Sequence, residues 1–71
     1  MLTEQLIEKI KAVLDSDLTA YRVAKETGYK SANQIHNYRN GKSDIRDMKL
    51  STAMRFERLY EEVIRAEREK L

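Results

Sequence analysis

The sequence predicts an all-α fold in which four or five helices pack into one small domain. Its apolar residues recur at three- and four-residue intervals, as on one face of a helix, and nowhere alternate as in a half-buried strand. The chain contains no proline and only two glycines, so few positions interrupt a helix. Its 71 residues suffice for one domain, which we expect to span residues 1–71.

The first two predicted helices are short and span residues 3–14 and 20–27. Thr19 is a good N-cap for the second helix, because its hydroxyl can accept a hydrogen bond from a free backbone amide. Gly28 suits the left-handed position that closes it. The first helix carries an apolar stripe formed by Leu6, Ile7, Ile10, Val13 and Leu14.

The third predicted helix spans residues 32–40. Ser31 and Gln34 have the spacing of a capping box, in which each side chain bonds the backbone amide of the other residue. Gly41 closes the helix as a second left-handed glycine. A polar loop follows over residues 42–48. We expect two of its side chains, Ile45 and Met48, to anchor it inward.

A long fourth helix is predicted over residues 49–70, which contain neither glycine nor proline. Its predicted apolar face consists of Leu50, Ala53, Met54, Phe56, Leu59, Tyr60, Val63 and Ile64. Part of this helix also shows the three-four-three spacing of a coiled-coil seam, formed by Phe56, Leu59, Val63 and Ala66. The seam predicts a homodimer, and the alternative is that Phe56 and Leu59 complete the core of a single domain.

The composition argues against several classes of function. Without cysteine there are no disulfides, thiolate metal sites or thiol nucleophiles, and a single histidine cannot form a histidine-rich metal site. No apolar run approaches the ~20 residues of a membrane span, and the first residues do not resemble a signal peptide. We therefore expect a cytoplasmic protein that is not an enzyme and has no cofactor, no metal, no small-molecule ligand and no membrane contact.

Positive charge is concentrated in the middle of the chain, although the net charge of the whole chain is only +2. Residues 1–18 carry two basic and four acidic side chains, residues 19–49 seven basic and three acidic, and residues 50–71 five of each. The middle segment therefore has a net charge of +4, and residues 29–43 contain no acid. Such a segment is either a solvated surface or a surface that contacts phosphates.

The second and third predicted helices form a helix-turn-helix unit, in which the second helix of the pair enters the major groove of DNA. At about 100° per residue, Ile35 and Tyr38 lie on one side of the third helix. The opposite side carries carboxamides, which can pair with the N6 and N7 edge of adenine. These side chains are Asn33, Asn37 and Asn40, with His36 beside them and Gln34 and Arg39 on the flanks.

The alternative is an ordinary polar helix face directed to solvent. Asparagine costs several tenths of a kcal/mol per site in a helix, so three asparagines on one face disfavour this interpretation. Gln34 has two possible roles, as the second member of the capping box or as a base contact, and the sequence favours neither. Tyr21 and Tyr29 flank the same surface and either bond phosphate or pack against the domain.

Residues 18–59, which make up 42 of the 71 residues, resemble the Cro-type, lambda-repressor-like (XRE) helix-turn-helix family of phage and bacterial repressors. The segment IHNYRNGK at residues 35–42 is similar to the end of a recognition helix in this family, and DMKLSTA at 47–53 to the start of the helix that follows. Other matching positions are Val23, Ala24 and Gly28. The resemblance implies a repressor-like transcriptional regulator that binds specific double-stranded DNA sequences.

The resemblance also implies roles for individual residues. The positions that contact base edges in the family are occupied here by Ser31, Ala32, Asn33, Gln34 and Asn37. Asn40, Lys42 and Ser43 fall where the family contacts the DNA backbone, and Lys30, His36 and Arg39 are further candidate phosphate ligands. Ala20 stands where family members commonly carry a phosphate-binding glutamine, so Thr19 and the adjacent helix N-terminus are expected to replace it. The alternative function is an antitoxin or adaptor that binds another protein through the long C-terminal helix.

Overall fold

The chain folds into α-helices joined by short turns, and the all-α prediction is confirmed. The computed structural model describes residues 2–69 and has no strand in that range. The elements, in order, are α1 (Glu4–Leu14), α2 (Ala20–Thr27), α3 (Ala32–Arg39), a 3₁₀ turn (Ile45–Asp47), α4 (Leu50–Leu59), a π-helical turn (Tyr60–Ile64) and α5 (Arg65–Glu69). The predicted end of the last helix at residue 70 lies outside the described residues.

The helices begin and end where their local chemistry favours it. The hydroxyls of Thr3 and Thr19 each accept a backbone N–H at 3.1 Å, from Leu6 and Arg22 respectively. Gly28 and Gly41 adopt φ angles of +86° and +82°, a left-handed conformation that costs other residues about 1–2 kcal/mol. Gly28 therefore ends α2, and Gly41 lies at the start of the loop after α3, each with little strain.

The α-helices enclose one hydrophobic core. Every α-helix from α1 to α4 contributes at least one fully buried side chain, and Met48 anchors the loop before α4 as expected. The radius of gyration is 11.3 Å, close to the about 11 Å expected for a folded chain of this length. The largest fully buried side chains are Ile10, Val13, Val23, Ile35 and Phe56.

The segments α4, π-helical turn and α5 follow one another without a break, and we call them together the C-terminal helix. Within the π-helical turn, the N–H of Arg65 donates to the carbonyl of Tyr60, five residues earlier, instead of the four of an α-helix. The turn therefore holds one residue more than a regular α-helical turn. Ile64 is buried after Leu59, while Val63 is only half-buried.

Two expectations for the C-terminal helix are wrong. The periodicity predicts Leu50 and Met54 on its apolar face, but their exposed fractions are 55% and 57%. Phe56 and Leu59 do not lie in a dimer seam: they are 0% and 3% exposed and fill the core between α1 and α2, which is the alternative in which they complete a single domain. The extra residue of the π-helical turn separates them from Val63 and Ala66, which remain half-buried. No helix among residues 2–69 is both long and apolar enough to cross a membrane.

Candidate nucleic-acid interface

Helix α3 is held by one side and presents a polar surface on the other. Ile35 is fully buried, and Ala32, Tyr38 and Arg39 beside it are half-buried. The opposite surface, which we call the α3 outer face, consists of Asn33, Gln34, His36, Asn37 and Asn40. All five side chains are exposed except that of Asn37, which is half-buried. The orientation expected from the helical periodicity is therefore the one observed.

Aromatic contacts fix the inner side of α3 against the domain. The hydroxyl of Tyr29 donates a hydrogen bond to the hydroxyl of Tyr38 at 3.3 Å, and the two ring centroids are 6.1 Å apart. Tyr29 also packs edge-on against Phe56, at 6.5 Å between centroids. Burial raises the pKa of the Tyr29 phenol, so this group remains a protonated donor at neutral pH. Tyr29 is therefore a packing residue.

The N-terminus of α3 is capped by one half of the expected capping box. The Ser31 hydroxyl accepts the N–H of Asn33 at 3.1 Å, and the Ser31 carbonyl accepts the N–H of Gln34 at 3.2 Å. Among the described residues no hydrogen bond from the Gln34 side chain is present, so the reciprocal bond of the box is not formed. The Gln34 carboxamide is exposed and can bond an external partner.

Arg39 does not belong to the α3 outer face. Its Nε donates to the carbonyl of Leu14 at 2.7 Å, and its Nη2 donates to the carbonyl of Leu18 at 2.6 Å. These carbonyls lie at the end of α1 and just before α2, where no helical N–H is left to pair with them. The expectation that Arg39 is a phosphate ligand is therefore replaced by a structural role, that of joining three helices.

The loop after α3 is tied to the helix it follows. The backbone N–H groups of Lys42 and Ser43 both donate to the carbonyl of Asn37, at 2.9 and 3.1 Å. This turn passes through Gly41 and holds the exposed Lys42 side chain next to the C-terminal end of the α3 outer face. Two of the predicted backbone contacts, Lys42 and Ser43, thus lie directly after the α3 outer face, which itself carries His36 and Asn40.

The remaining predicted phosphate contacts lie before α2 and before α3. Thr19 is exposed, and its hydroxyl oxygen caps the N-terminus of α2. Lys30 is exposed in the turn that joins the two helices. Tyr21, on the first turn of α2, has an exposed fraction of 71% and does not pack into the domain. Hydroxyl groups and helix N-termini at such positions can bind phosphate oxygens.

Besides Arg46, which pairs with Glu4 at 3.8 Å, three exposed cations of the basic segment were not among the predicted contacts: Arg22, Lys25 and Lys49. None of these three forms an ion pair with another described residue. The signal that could have found them is the net charge of +4 over residues 19–49, together with their positions outside the apolar stripe of each helix. Together with Lys30 and Lys42, these cations lie on both sides of residues 33–40 in the sequence.

The chemistry of this surface is that of hydrogen bonding and charge. Among residues 2–69 no cluster of histidine, cysteine, aspartate or glutamate could hold a metal ion. Comparison with family models, with curated proteins and with solved structures found no match to this chain. A functional assignment therefore depends on the geometry and chemistry of the α3 outer face.

Proposed function

We propose that this protein binds specific sequences in double-stranded DNA and acts as a repressor-like transcriptional regulator. The observation that carries the proposal is the α3 outer face, a row of exposed or half-buried carboxamides opposite the fully buried Ile35. Carboxamides offer a donor and an acceptor together, the pattern that adenine presents in the major groove. The absence of acids from residues 29–43 avoids repulsion of DNA phosphates.

In the proposed complex, base contacts come from the outer face and the N-terminal turn of α3. Asn33 and Asn37 are one helical turn apart and reach neighbouring base pairs from a rod held rigidly by Ile35. Gln34 has its carboxamide available because the capping box is incomplete. Ser31 and Ala32 contribute the edge of the surface at the N-terminus of α3.

Phosphate contacts come from residues around the α3 outer face. Lys30 and Lys42 supply charge, and Thr19, Asn40, Ser43 and His36 supply hydrogen-bonding groups. Arg39 is omitted because its guanidinium bonds the carbonyls of Leu14 and Leu18. These contacts set the position of α3 on the duplex, while the base contacts read the sequence.

Selection of bound sites from a pool of random duplexes tests the proposal. We expect enrichment of one short motif that contains adenines. A palindrome with half-sites about one DNA turn apart would also establish that two copies bind together. Recovery of no motif at low salt would contradict the proposal.

The substitution Asn33→Ala tests base recognition directly. Asn33 is exposed and its side chain makes no hydrogen bond among the described residues, so its loss should leave the fold unchanged. We expect a loss of about 1–3 kcal/mol in discrimination at one base pair, with weak binding to unrelated duplexes retained. The measurement is fluorescence anisotropy with the selected duplex and its single-base variants.

The matched control for this experiment is Gln5→Ala, which removes an exposed carboxamide from α1. It should leave both affinity and discrimination unchanged. Equal discrimination by wild type and Asn33→Ala would contradict a base contact at this residue. Asn37→Ala is the companion variant and should affect a neighbouring base pair.

Homodimerisation remains a prediction, with its surface revised. Of the four seam residues only Val63 and Ala66 have exposed side-chain area, so a dimer cannot use Phe56 and Leu59.

The second candidate function, an antitoxin or adaptor that binds another protein, is favoured by a groove beside the C-terminal helix. Binding to DNA and binding to a protein use different surfaces and are compatible in one molecule.

A further inference from the structure

A groove runs between α1 and the C-terminal helix. It consists of two adjoining cavities of about 310 and 520 Å³ that share Ala12 and Arg68 in their walls. Along α1 it extends from Gln5 past the end of the helix to Leu18, and along the C-terminal helix from Tyr60 to Arg68. The gap between two packed helices is the place where a third helix binds in helix-in-groove recognition.

The floor of the larger cavity is apolar. Leu18 and Val63 pack against the hydrophobic core yet remain half-exposed, and Ile64 lies beneath them with an exposed fraction of 8%. The π-helical turn produces this arrangement, because it buries Ile64 and leaves Val63 at the edge of the core. Covering these side chains would remove apolar surface from water and favour binding.

The rim of the groove is acidic. Asp15, Asp17 and Glu67 line the larger cavity and Glu8 the smaller one, and none of these four forms an ion pair among the described residues. The acids elsewhere on the two helices that form the groove are mostly paired, as Glu57 and Glu61 are with Lys9. Two cations also line the groove: Lys9, which pairs with Glu57 and Glu61, and Arg68, whose guanidinium lies 5.7 Å from the centroid of the Tyr60 ring.

The acids at the end of α1 also act against the helix itself. Asp15 is the C-cap of α1, where the helix dipole is negative and a carboxylate is unfavourable. Asp17 follows two residues later, and neither aspartate forms an ion pair with another described residue. A basic partner would turn both residues from unfavourable into favourable charges.

We propose that this groove binds an amphipathic helix of another protein, one whose apolar face is flanked by lysine or arginine. The apolar floor accepts its leucine-like side chains, and the acidic rim pairs with its cations. The same groove of a second copy is disfavoured as the partner because two acidic rims would repel each other. DNA is disfavoured as the partner because its phosphates would also meet the acidic rim. No residue of α2 or α3 lines the groove, so the partner does not compete with DNA for the α3 outer face.

The test uses two designed peptides and the full-length chain labelled with ¹⁵N. Each peptide has about 15 residues, long enough to form a helix on binding, with leucines on one face. One carries flanking lysines and the other carries glutamates at the same positions. We expect the lysine peptide to shift the amide resonances of residues 12–18 and 60–68, and the glutamate peptide to shift none of them.

Substitutions at the rim separate the charge effect from the apolar effect. The double substitution Asp15→Asn and Asp17→Asn should lower the affinity for the lysine peptide about fivefold, the effect expected from the loss of two exposed ion pairs. The control Asp47→Asn removes an exposed carboxylate outside the groove and should not change the affinity. Val63→Lys should abolish binding, with the circular dichroism of the chain serving to show that it remains folded.

Three outcomes would overturn the proposal. The first is equal binding of the two peptides. The second is that the lysine peptide, even at millimolar concentration, shifts no amide resonances or only those of the α3 outer face. The third is a concentration dependence of the groove resonances in the free protein, which would assign the groove to self-association. None of these results bears on DNA binding, which is tested separately with duplexes.

Discussion

At the scale of single residues, Arg39 shows how tertiary contacts decide the role of a charged side chain. It lies on the flank of a polar helix in a basic segment, which favours a phosphate contact. In the structure its guanidinium satisfies two carbonyls at the end of α1 and the entry to α2. Hydrogen bonds to a charged group contribute about 1.5–3 kcal/mol each, so this side chain stabilises the packing of three helices.

The Arg39→Ala substitution should therefore lower the free energy of unfolding by about 2–3 kcal/mol, because both carbonyls lose their donor. Arg39→Lys should recover only part of this, since one ammonium group cannot reproduce the two-pronged geometry. Urea denaturation monitored by circular dichroism measures both. The control Arg22→Ala removes an exposed arginine of α2 and should change stability by no more than about 0.5 kcal/mol. If Arg39→Ala had wild-type stability, the structural role would be contradicted and Arg39 would again be a candidate for the proposed phosphate contacts.

At the scale of elements, the π-helical turn determines which side of the C-terminal helix is buried. Leu59 and Ile64 are five residues apart and both buried, whereas a regular α-helix would bury residues three or four apart. The extra residue rotates the following segment relative to α4. The consequence is the half-exposed Val63 that forms part of the groove floor.

Deletion of Glu62 should remove the extra residue and leave Ile64 four positions after Leu59, within the buried stripe of a regular helix. We expect the free energy of unfolding to change by no more than about 1 kcal/mol, including the loss of the exposed Arg58–Glu62 pair. Deletion of Arg55 is the matched comparison, because it rotates the buried Phe56 by about 100° relative to Ala53 and should unfold the domain. Thermal denaturation compares the stability of the two deletion variants. An equal loss of stability in both would show that the π-helical turn is not a one-residue insertion.

At the scale of the whole molecule, a cluster of ion pairs joins α1 to the C-terminal helix. Lys9 of α1 bonds Glu57 and Glu61 at 3.1 Å each, and Glu61 also accepts from Arg65 at 2.8 Å. The hydrogen bond from Arg65, followed by that from Lys9, lowers the pKa of the Glu61 carboxyl. The bonds to Glu61 and Glu57 raise the pKa of Lys9. The cluster thus connects α1 to the C-terminal helix across neutral pH.

The lowered pKa of Glu61 gives a prediction with a definite sign. Its contribution to stability is present above the pKa it has when unfolded and is lost as the pH falls through its lower folded pKa. Glu61→Gln should therefore be less stable than wild type at pH 7, and the difference should disappear under strongly acidic conditions. Urea denaturation across an acidic pH series measures it, with Asp47→Asn as the control. A difference independent of pH would contradict the assignment.

The charge of the interface gives a further prediction, for binding to DNA. Each phosphate contact contributes about 0.9 to the slope of log affinity against log salt. Lys42→Ala should weaken binding to all duplexes similarly and reduce that slope by about 1. Titrations at several salt concentrations measure it, and the control is Lys11→Ala on α1. A slope unchanged by Lys42→Ala, or a flat salt response of the wild type, would contradict the phosphate contacts.

Most of the local structure could be predicted from the sequence because it depends on neighbours along the chain. Threonine caps, left-handed glycines and a 3.6-residue period place the first three helices within one residue of their expected bounds. The same period orients the α3 outer face, since Ile35 has to be buried and Asn33 and Asn37 then lie opposite. Local chemistry therefore determined the helices and the surface on which the proposed function depends.

The roles of residues that depend on distant parts of the chain were decided only by the tertiary structure. The role of Arg39 depends on the carbonyls of Leu14 and Leu18, which are distant in sequence. Leu50 and Met54 are exposed because no helix among the described residues packs over that side of α4. The π-helical turn likewise has no signature in the spacing of apolar residues. Each case has the same physical reason: helical periodicity specifies which residues share a face, but only the packing of helices specifies which face is covered.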